Sequence, residues 1–168
     1  MQQPIDASLI EGKKLKFLIT DAPKNENIDA YIKLWKKKGV RQVVRTCEET
    51  YDKQKVEAEG IPVTDLPFSD GQSPPEKVLK QWMDIIDETF FLPKEPQPGA
   101  CIAVHCLAGL GRAPVLVAVA FIEQGEKPMD AVEMIRDKRK GAINVKQVDF
   151  LVAYKPRRQQ KGCACTIQ

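Results

Sequence analysis

Between residues 101 and 122 the chain reads "CIAVHCLAGLGRAPVLVAVAFI", two apolar runs parted by a short stretch holding two glycines and an arginine. Few folds can accommodate this. The first run, at 101–105, is short and continuous and suits a strand buried on both faces. The second, starting near Ala113, has the length of a helix. A buried strand, a tight turn and a buried helix define a layered α/β domain with the turn at the carboxyl end of a strand, where open parallel sheets bind their ligands.

The rest of the chain keeps the same rhythm. Runs of β type, "LKFLIT" at 15–20, "RQVVR" at 41–45 and "IPVTDL" at 61–66, alternate with segments of helical period. A first helix is expected from an Asn27 N-cap to Gly39, with Ile28, Tyr31, Ile32 and Trp35 on one face. A second spans Tyr51 to Ala58. A third, opened by Pro74 and Pro75, carries Val78, Leu79, Trp82, Ile85, Ile86 and Phe90 toward the core. Three more follow, Ala113 to Gln124, Pro128 to Lys138 and Val145 to Tyr154. The expected architecture is one α/β domain with a mostly parallel central sheet flanked by helices. It spans residues 15–155, with an N-terminal extension at 1–14 and a polar, disordered basic tail at 156–168. The periodic aromatics read as core, not as a base-stacking surface for nucleic acid.

The turn at 106–112 has the chemistry of an oxyanion site. Gly109 and Gly111 allow the backbone to turn successive N–H groups inward as an anion-binding nest, and the helix that follows adds the positive end of its dipole. Leu107, Ala108, Gly109, Leu110 and Gly111 would supply those amides. Arg112 would add a planar fork for a tetrahedral oxyanion. The same field is expected to hold Cys106 as a nucleophilic thiolate. A nucleotide-binding P-loop is excluded, because no Lys-Ser or Lys-Thr follows the glycines. A zinc site from Cys101, His105 and Cys106 fails on reach, since strand residues four apart lie ~13 Å from each other. No other metal set or cofactor motif is legible. His105, the sole histidine, sits beside a thiol already activated by the loop and is expected to orient that loop, not to act as the base. Asp70, in "LPFSDG" after the third run, stands where a movable loop could carry a general acid.

The cysteine, five-residue spacer and arginine resemble the signature loop of the Cys-dependent tyrosine and dual-specificity phosphatases. "VHCLAGLGRAPVLVAVA", with "PFSDG", "RDKRKGAINVKQ" and a terminal "CTIQ", resembles one branch, the phosphatases of regenerating liver, or PRL phosphatases. The resemblance implies a dual-specificity-phosphatase-like fold and a phosphocysteine intermediate, with Cys106 as nucleophile, Arg112 as phosphate ligand and Asp70 as acid. It also implies slow hydrolysis of that intermediate, because Ala113 follows the arginine where faster relatives carry Ser or Thr. Cys47 falls where the family has a second cysteine that pairs reversibly with the catalytic one. Substrates would be phosphoproteins or a phosphoinositide. The family likeness further suggests a homotrimer and, through the pocket, an acidic partner such as a cyclin-M-type magnesium transporter, which the basic run Arg136, Lys138, Arg139 and Lys140 could assist. The chain departs from the branch at Leu66, where tryptophan is usual, at Ser69, where a second aspartate is usual, and at Lys140, where arginine is.

Composition limits where such a chain works. Hydrophobic residues make up 43% and charged ones 29%, which excludes a disordered or fibrous protein. The longest apolar stretch is about half of a membrane crossing. The first residues lack a secretory pattern, so a cytosolic chain is expected, and its five cysteines read as thiols and not as a disulfide framework. Of 26 basic and 23 acidic residues overall, Lys155, Arg157, Arg158 and Lys161 lie in a tail without acids, leaving the remainder at one negative charge. "CTIQ" fits C-a-a-X, with Cys165 farnesylated and Cys163 available for palmitate. One lipid chain holds only reversibly, so the basic residues would supply the second signal for an anionic membrane surface, the cytoplasmic face of the plasma membrane or endosomes.

Overall fold

The computed structural model describes residues 4–95 and 97–160. Its elements, in chain order, are β1 (Ala7–Glu11), β2 (Lys16–Thr20), α1 (Ile28–Lys37), β3 (Val40–Arg45), α2 (Gln54–Glu57), β4 (Val63–Asp65), α3 (Glu76–Phe90), β5 (Cys101–His105), α4 (Arg112–Glu123), α5 (Pro128–Lys138), α6 (Val145–Ala153) and α7 (Arg157–Gln160). The five strands form one sheet in the order β1-β2-β5-β3-β4. Strands β2, β5, β3 and β4 are parallel, and β1 pairs antiparallel with β2 at the edge. All four parallel strands therefore point their carboxyl ends to one side.

Period-two alternation splits the core across the sheet. Phe17, Ile19, Val44, Ile102 and Val104 face helices α3 to α6, while Leu18, Val43, Cys101 and Ala103 face α1 and α2. Phe17 anchors the larger layer, with its ring 5.6 Å from Trp82, 5.8 Å from Phe90 and 5.7 Å from Phe121. Each such pair is worth about 0.5–1.5 kcal/mol beyond its buried area. Helix α4 is buried at every position. This explains why its sequence shows no polar face: it lies between the sheet and its neighbouring helices. Among the described residues no helix is long and apolar enough to cross a membrane.

Several expectations need correction. The segment at 1–14 is not an extension outside the domain, since Ala7–Glu11 is a sheet strand. The short "ASLIE" segment offers little period-two signal, and pairing with β2 supplies what its sequence does not. The second helix begins at Gln54, not Tyr51, because Tyr51 turns inward to bond other side chains. Asn27 stands at the N-cap of α1 but makes no cap bond; its carboxamide accepts from Lys24 N–H at 2.7 Å. Beyond α6 the chain forms the short helix α7, Arg157–Gln160. The buried Glu123 carboxylate accepts the Tyr154 hydroxyl at 2.6 Å and the backbone N–H of Arg157 at 2.9 Å and of Arg158 at 3.1 Å. Arg157 pairs with Glu76 at 2.6 Å, and Arg158 with Asp87. Lys161, Cys163 and Cys165 lie outside the described residues.

Candidate active site

Strand β5 ends at His105, and the next seven residues run through a tight loop into α4. Cys106 and Arg112, at the loop's two ends, are each 2% exposed, while Leu107 and Leu110 between them are 51% and 39% exposed. Five consecutive carbonyls are tied back to surrounding elements. Leu107 C=O accepts Ala22 N–H at 2.9 Å, Leu110 C=O accepts Ile143 N–H at 2.8 Å, and Gly111 C=O accepts Val115 N–H at 3.1 Å. Ala108 C=O takes Arg139 Nη2 at 2.9 Å, and Gly109 C=O takes Arg139 Nε at 2.6 Å. All peptide bonds described are trans, so each N–H points opposite to the carbonyl of its own plane. The amides of residues 108–112 thus face the hollow of the loop, and those of residues 107–111 make no bond to a backbone carbonyl. This is a preformed nest for an anion.

Of the two glycines, Gly109 carries the conformational demand, with φ at +70°. A Cβ there would lie 2.5 Å from both Thr20 O and Arg139 Nη2. Gly111, at φ −123°, is not left-handed, so the expected role of both glycines reduces to one.

Arg112 sits between two acids. Its Nε lies 3.6 Å from Asp70 Oδ1, its Nη1 3.6 Å from Glu48 Oε1, and Nη1 also donates to Phe68 C=O at 3.3 Å. Buried Nε has no hydrogen-bond partner, a donor kept free beside the nest. Asp70 is 76% exposed on a loop held to the start of α6. Asn144 Nδ2 donates to Gly71 C=O at 3.1 Å and Gln147 Nε2 to Gln72 C=O at 3.1 Å. At the loop's root Leu66, 1% exposed, donates its N–H to Arg45 C=O at 2.8 Å. The aliphatic residue therefore anchors the loop in the core.

His105 is fully buried and faces Tyr51 Oη through Nε2 at 3.0 Å. Burial, foremost, pushes its pKa down to about 4, partly offset by its bond to the Cys106 backbone. It is a neutral tether between the loop and Tyr51, as expected of an orienter. Cys47, one residue beyond Thr46 and 2% exposed, has Sγ 4.0 Å from His105 Nδ1. Desolvation raises its pKa to about 11, while Arg112 opposes and Cys106 adds to that shift, so the field of both reaches it. Strands β3 and β5 are in register at Arg45 and His105, which brings Cys47 and Cys106 to the same edge as free thiols.

In the basic run at the end of α5, Lys138 and Lys140 are exposed, while the two arginines are tied to backbone carbonyls. Arg139 is 4% exposed beneath the loop, and Arg136 donates to Ala142 C=O at 3.0 Å and Ile143 C=O at 2.7 Å. Glu48, Tyr51, Asn144 and Gln147 were not singled out for the site, and Arg139 was read only as part of a basic run for an acidic partner. Only Asn144 and Gln147 carry a readable signal, the capping-box spacing of "NVKQ" that α6 forms.

A thiol and a buried guanidinium closing an amide nest, with an acid-bearing loop above, define a Cys-dependent phosphatase of the dual-specificity class. Residues 20–126 match the DSP-PTPase phosphatase family of polymorphic toxin systems. The chain is 52% identical to PRL-1 phosphatase of Drosophila melanogaster over 92% of its length and 85% of the relative's, and 48% identical to human protein tyrosine phosphatase type IVA 3 over 93% and 86%. A solved putative protein tyrosine phosphatase from Leishmania major is 43% identical, with a TM-score of 0.78, over 89% of this chain and 98% of the other. The chain belongs to the PRL family, the type IVA protein tyrosine phosphatases.

Proposed function

We propose that the protein removes phosphate from phosphoproteins, on tyrosine or on serine and threonine, through a phosphocysteine at Cys106, with a phosphoinositide as the competing substrate class. One observation carries this reading: five carbonyls tied outward and their amides turned inward, between a thiol and an arginine with a free buried donor. The Cys106 thiolate attacks phosphorus, the P–O bond to the substrate breaks, and Asp70 gives its proton to the leaving oxygen. Water then attacks phosphorus, Asp70 takes its proton, and the S–P bond breaks to regenerate the thiolate and inorganic phosphate. Arg112 and the amides of residues 108–112 hold the equatorial oxygens throughout. Buried Ala113 has no hydroxyl to stabilise the departing sulfur, so the second step limits turnover. Cys106→Ser is expected to leave below ~1% of phosphate release, within the ~10²–10⁴-fold range of lost catalytic groups. Ala113→Ser should raise the post-burst rate in rapid-mixing kinetics without changing the burst. A burst that vanishes in wild type would contradict rate-limiting hydrolysis.

A second reading draws on the carboxylates of Asp70 and Glu48 already beside Arg112. A carboxylate of an acidic partner, such as a cyclin-M-type magnesium transporter, could occupy the same nest. Phosphorylation of Cys106, or its pairing with Cys47, would then release it.

The membrane reading places a farnesyl group on Cys165. Arg157 and Arg158 are already paired with Glu76 and Asp87, so lipid headgroups would compete for them. The exposed Lys155 should then contribute more of the roughly 1 kcal/mol that a basic residue gains at an anionic surface. In flotation with anionic vesicles, Cys165→Ser should move the protein to the soluble fraction. Neutralising Lys155 should weaken binding more than neutralising either Arg157 or Arg158.

A further inference from the structure

Two carbonyls of the nest are held by a side chain 30 and 31 positions further along the chain. Arg139 holds the carbonyls of Ala108 and Gly109 through Nη2 and Nε, and those two planes set the direction of the Gly109 and Leu110 amides. A buried guanidinium bonded only to neutral carbonyls would carry an uncompensated charge. Asp6 supplies the counter-charge as a two-point contact, with Nη1 to Oδ1 at 3.1 Å and Nη2 to Oδ2 at 3.1 Å. Nη1 also reaches Ser8 Oγ at 3.2 Å, and Ser8 Oγ donates to Lys138 C=O at 3.0 Å. All three guanidinium nitrogens are engaged at once, which only a rigid planar head can do. Gly109 lacks the side chain that would collide with Arg139 Nη2, so loop and arginine fit each other.

We propose that Asp6 and Arg139 are a positioning pair for the phosphate-binding loop, and that the segment leading into the edge strand β1 thereby sets how tightly the site holds phosphate. Neither residue touches the substrate; Asp6 orients Arg139, and Arg139 orients two peptide planes. The proposal rests on residues 106–112 being the phosphate site.

The test uses the full chain and measures the affinity of orthovanadate and of inorganic phosphate by their protection of Cys106 from iodoacetamide, read on the Cys106 peptide by mass spectrometry. Asp6→Ala should weaken both ligands about fivefold, the upper scale of an ion pair with an exposed partner. Its melting temperature should fall only modestly, because the carboxylate is 71% exposed and water reaching its place can take over part of the compensation of Arg139. Arg139→Lys keeps the charge but cannot span two carbonyls and Asp6, and should weaken both ligands about tenfold. The double variant should match Arg139→Lys alone, since Asp6 has nothing left to orient. Unchanged protection in Asp6→Ala would overturn the proposal. So would an Asp6→Ala effect that persists in full on the Arg139→Lys background, or a large fall in melting temperature with ligand affinity intact. If neither ligand protects Cys106 in the wild-type protein, the phosphate-site reading itself fails and the proposal falls with it.

Discussion

Gly109 is where the chemistry of the site meets the limits of the backbone. Its φ is +70°, and a methyl group would meet the Thr20 carbonyl oxygen and the Arg139 guanidinium at 2.5 Å. The oxygen is part of β2 and cannot yield cheaply. Gly109→Ala should therefore push the loop outward and cost about 1–3 kcal/mol in stability. The larger effect should fall on phosphoenzyme formation, about 10²-fold slower in rapid-quench measurements, since a displacement of about 1 Å in a positioned group carries that order of penalty. A variant that lost stability but kept its burst rate would mean the amides are not what binds phosphate.

At the scale of elements, the acid loop is held by a helix start and not by its own sequence. Asn144 and Gln147 form a reciprocal capping box on α6, and their remaining amide groups reach Gly71 and Gln72. One pair of side chains thus serves both the helix terminus and the loop that carries Asp70. Asn144→Ala removes the cap acceptor and the bond to Gly71, a destabilisation of about 1 kcal/mol at the helix. Asp70 should then lose its fixed place near Arg112. The expected result is slower phosphorylation of Cys106 by substrates with poor leaving groups and little change for aryl phosphates, whose leaving oxygen needs less help from an acid. Equal slowing of both classes, read as burst rates, would separate Asn144 from the acid loop.

Across the whole molecule, acid stability should report one buried group. His105 is the only histidine, and its pKa in the fold, about 4, lies below the ordinary 6.5. Between those values the unfolded chain binds a proton that the folded chain does not, so stability falls as pH drops through that window. The full difference is about 3 kcal/mol, present above pH ~6.5 and gone near pH ~4. Asp65, held low by its hydrogen bond from Arg45, adds its loss only at still lower pH. Urea midpoints taken from pH 7 to 4.5 should fall steadily in wild type and lie nearly flat in His105→Asn. A wild-type midpoint that does not move would mean the imidazole titrates normally and is not sealed in the core.

The elements that meet at the site differ in how they are encoded. Strand β5, the glycine turn and α4 are contiguous, so their apolar runs, the φ demand at Gly109 and the Cys106–Arg112 spacing could all be read along the chain. Helix α5 and the inward face of α3 were legible for the same local reason, a hydrophobic period of 3.6 residues. What closes the site comes from separate segments: Ala22, Ile143 and Arg139 on the loop carbonyls, Glu48 and Asp70 beside Arg112, Tyr51 on His105. Apart from Asp70, whose turn segment could be read along the chain, none of these is marked by a local pattern, because a hydrogen bond between residues far apart leaves no period in either segment. The basic run at 136–140 shows the difference most plainly. As sequence it reads as a charged surface, yet burial against the loop turns Arg139 into a ligand of backbone carbonyls, with Asp6 as counter-ion. The sequence by itself determined the α/β architecture and the nucleophile loop, since propensity and spacing act within a few residues. Only the tertiary structure decided which charges face water and which hold the loop, since burial is a property of the assembled layers.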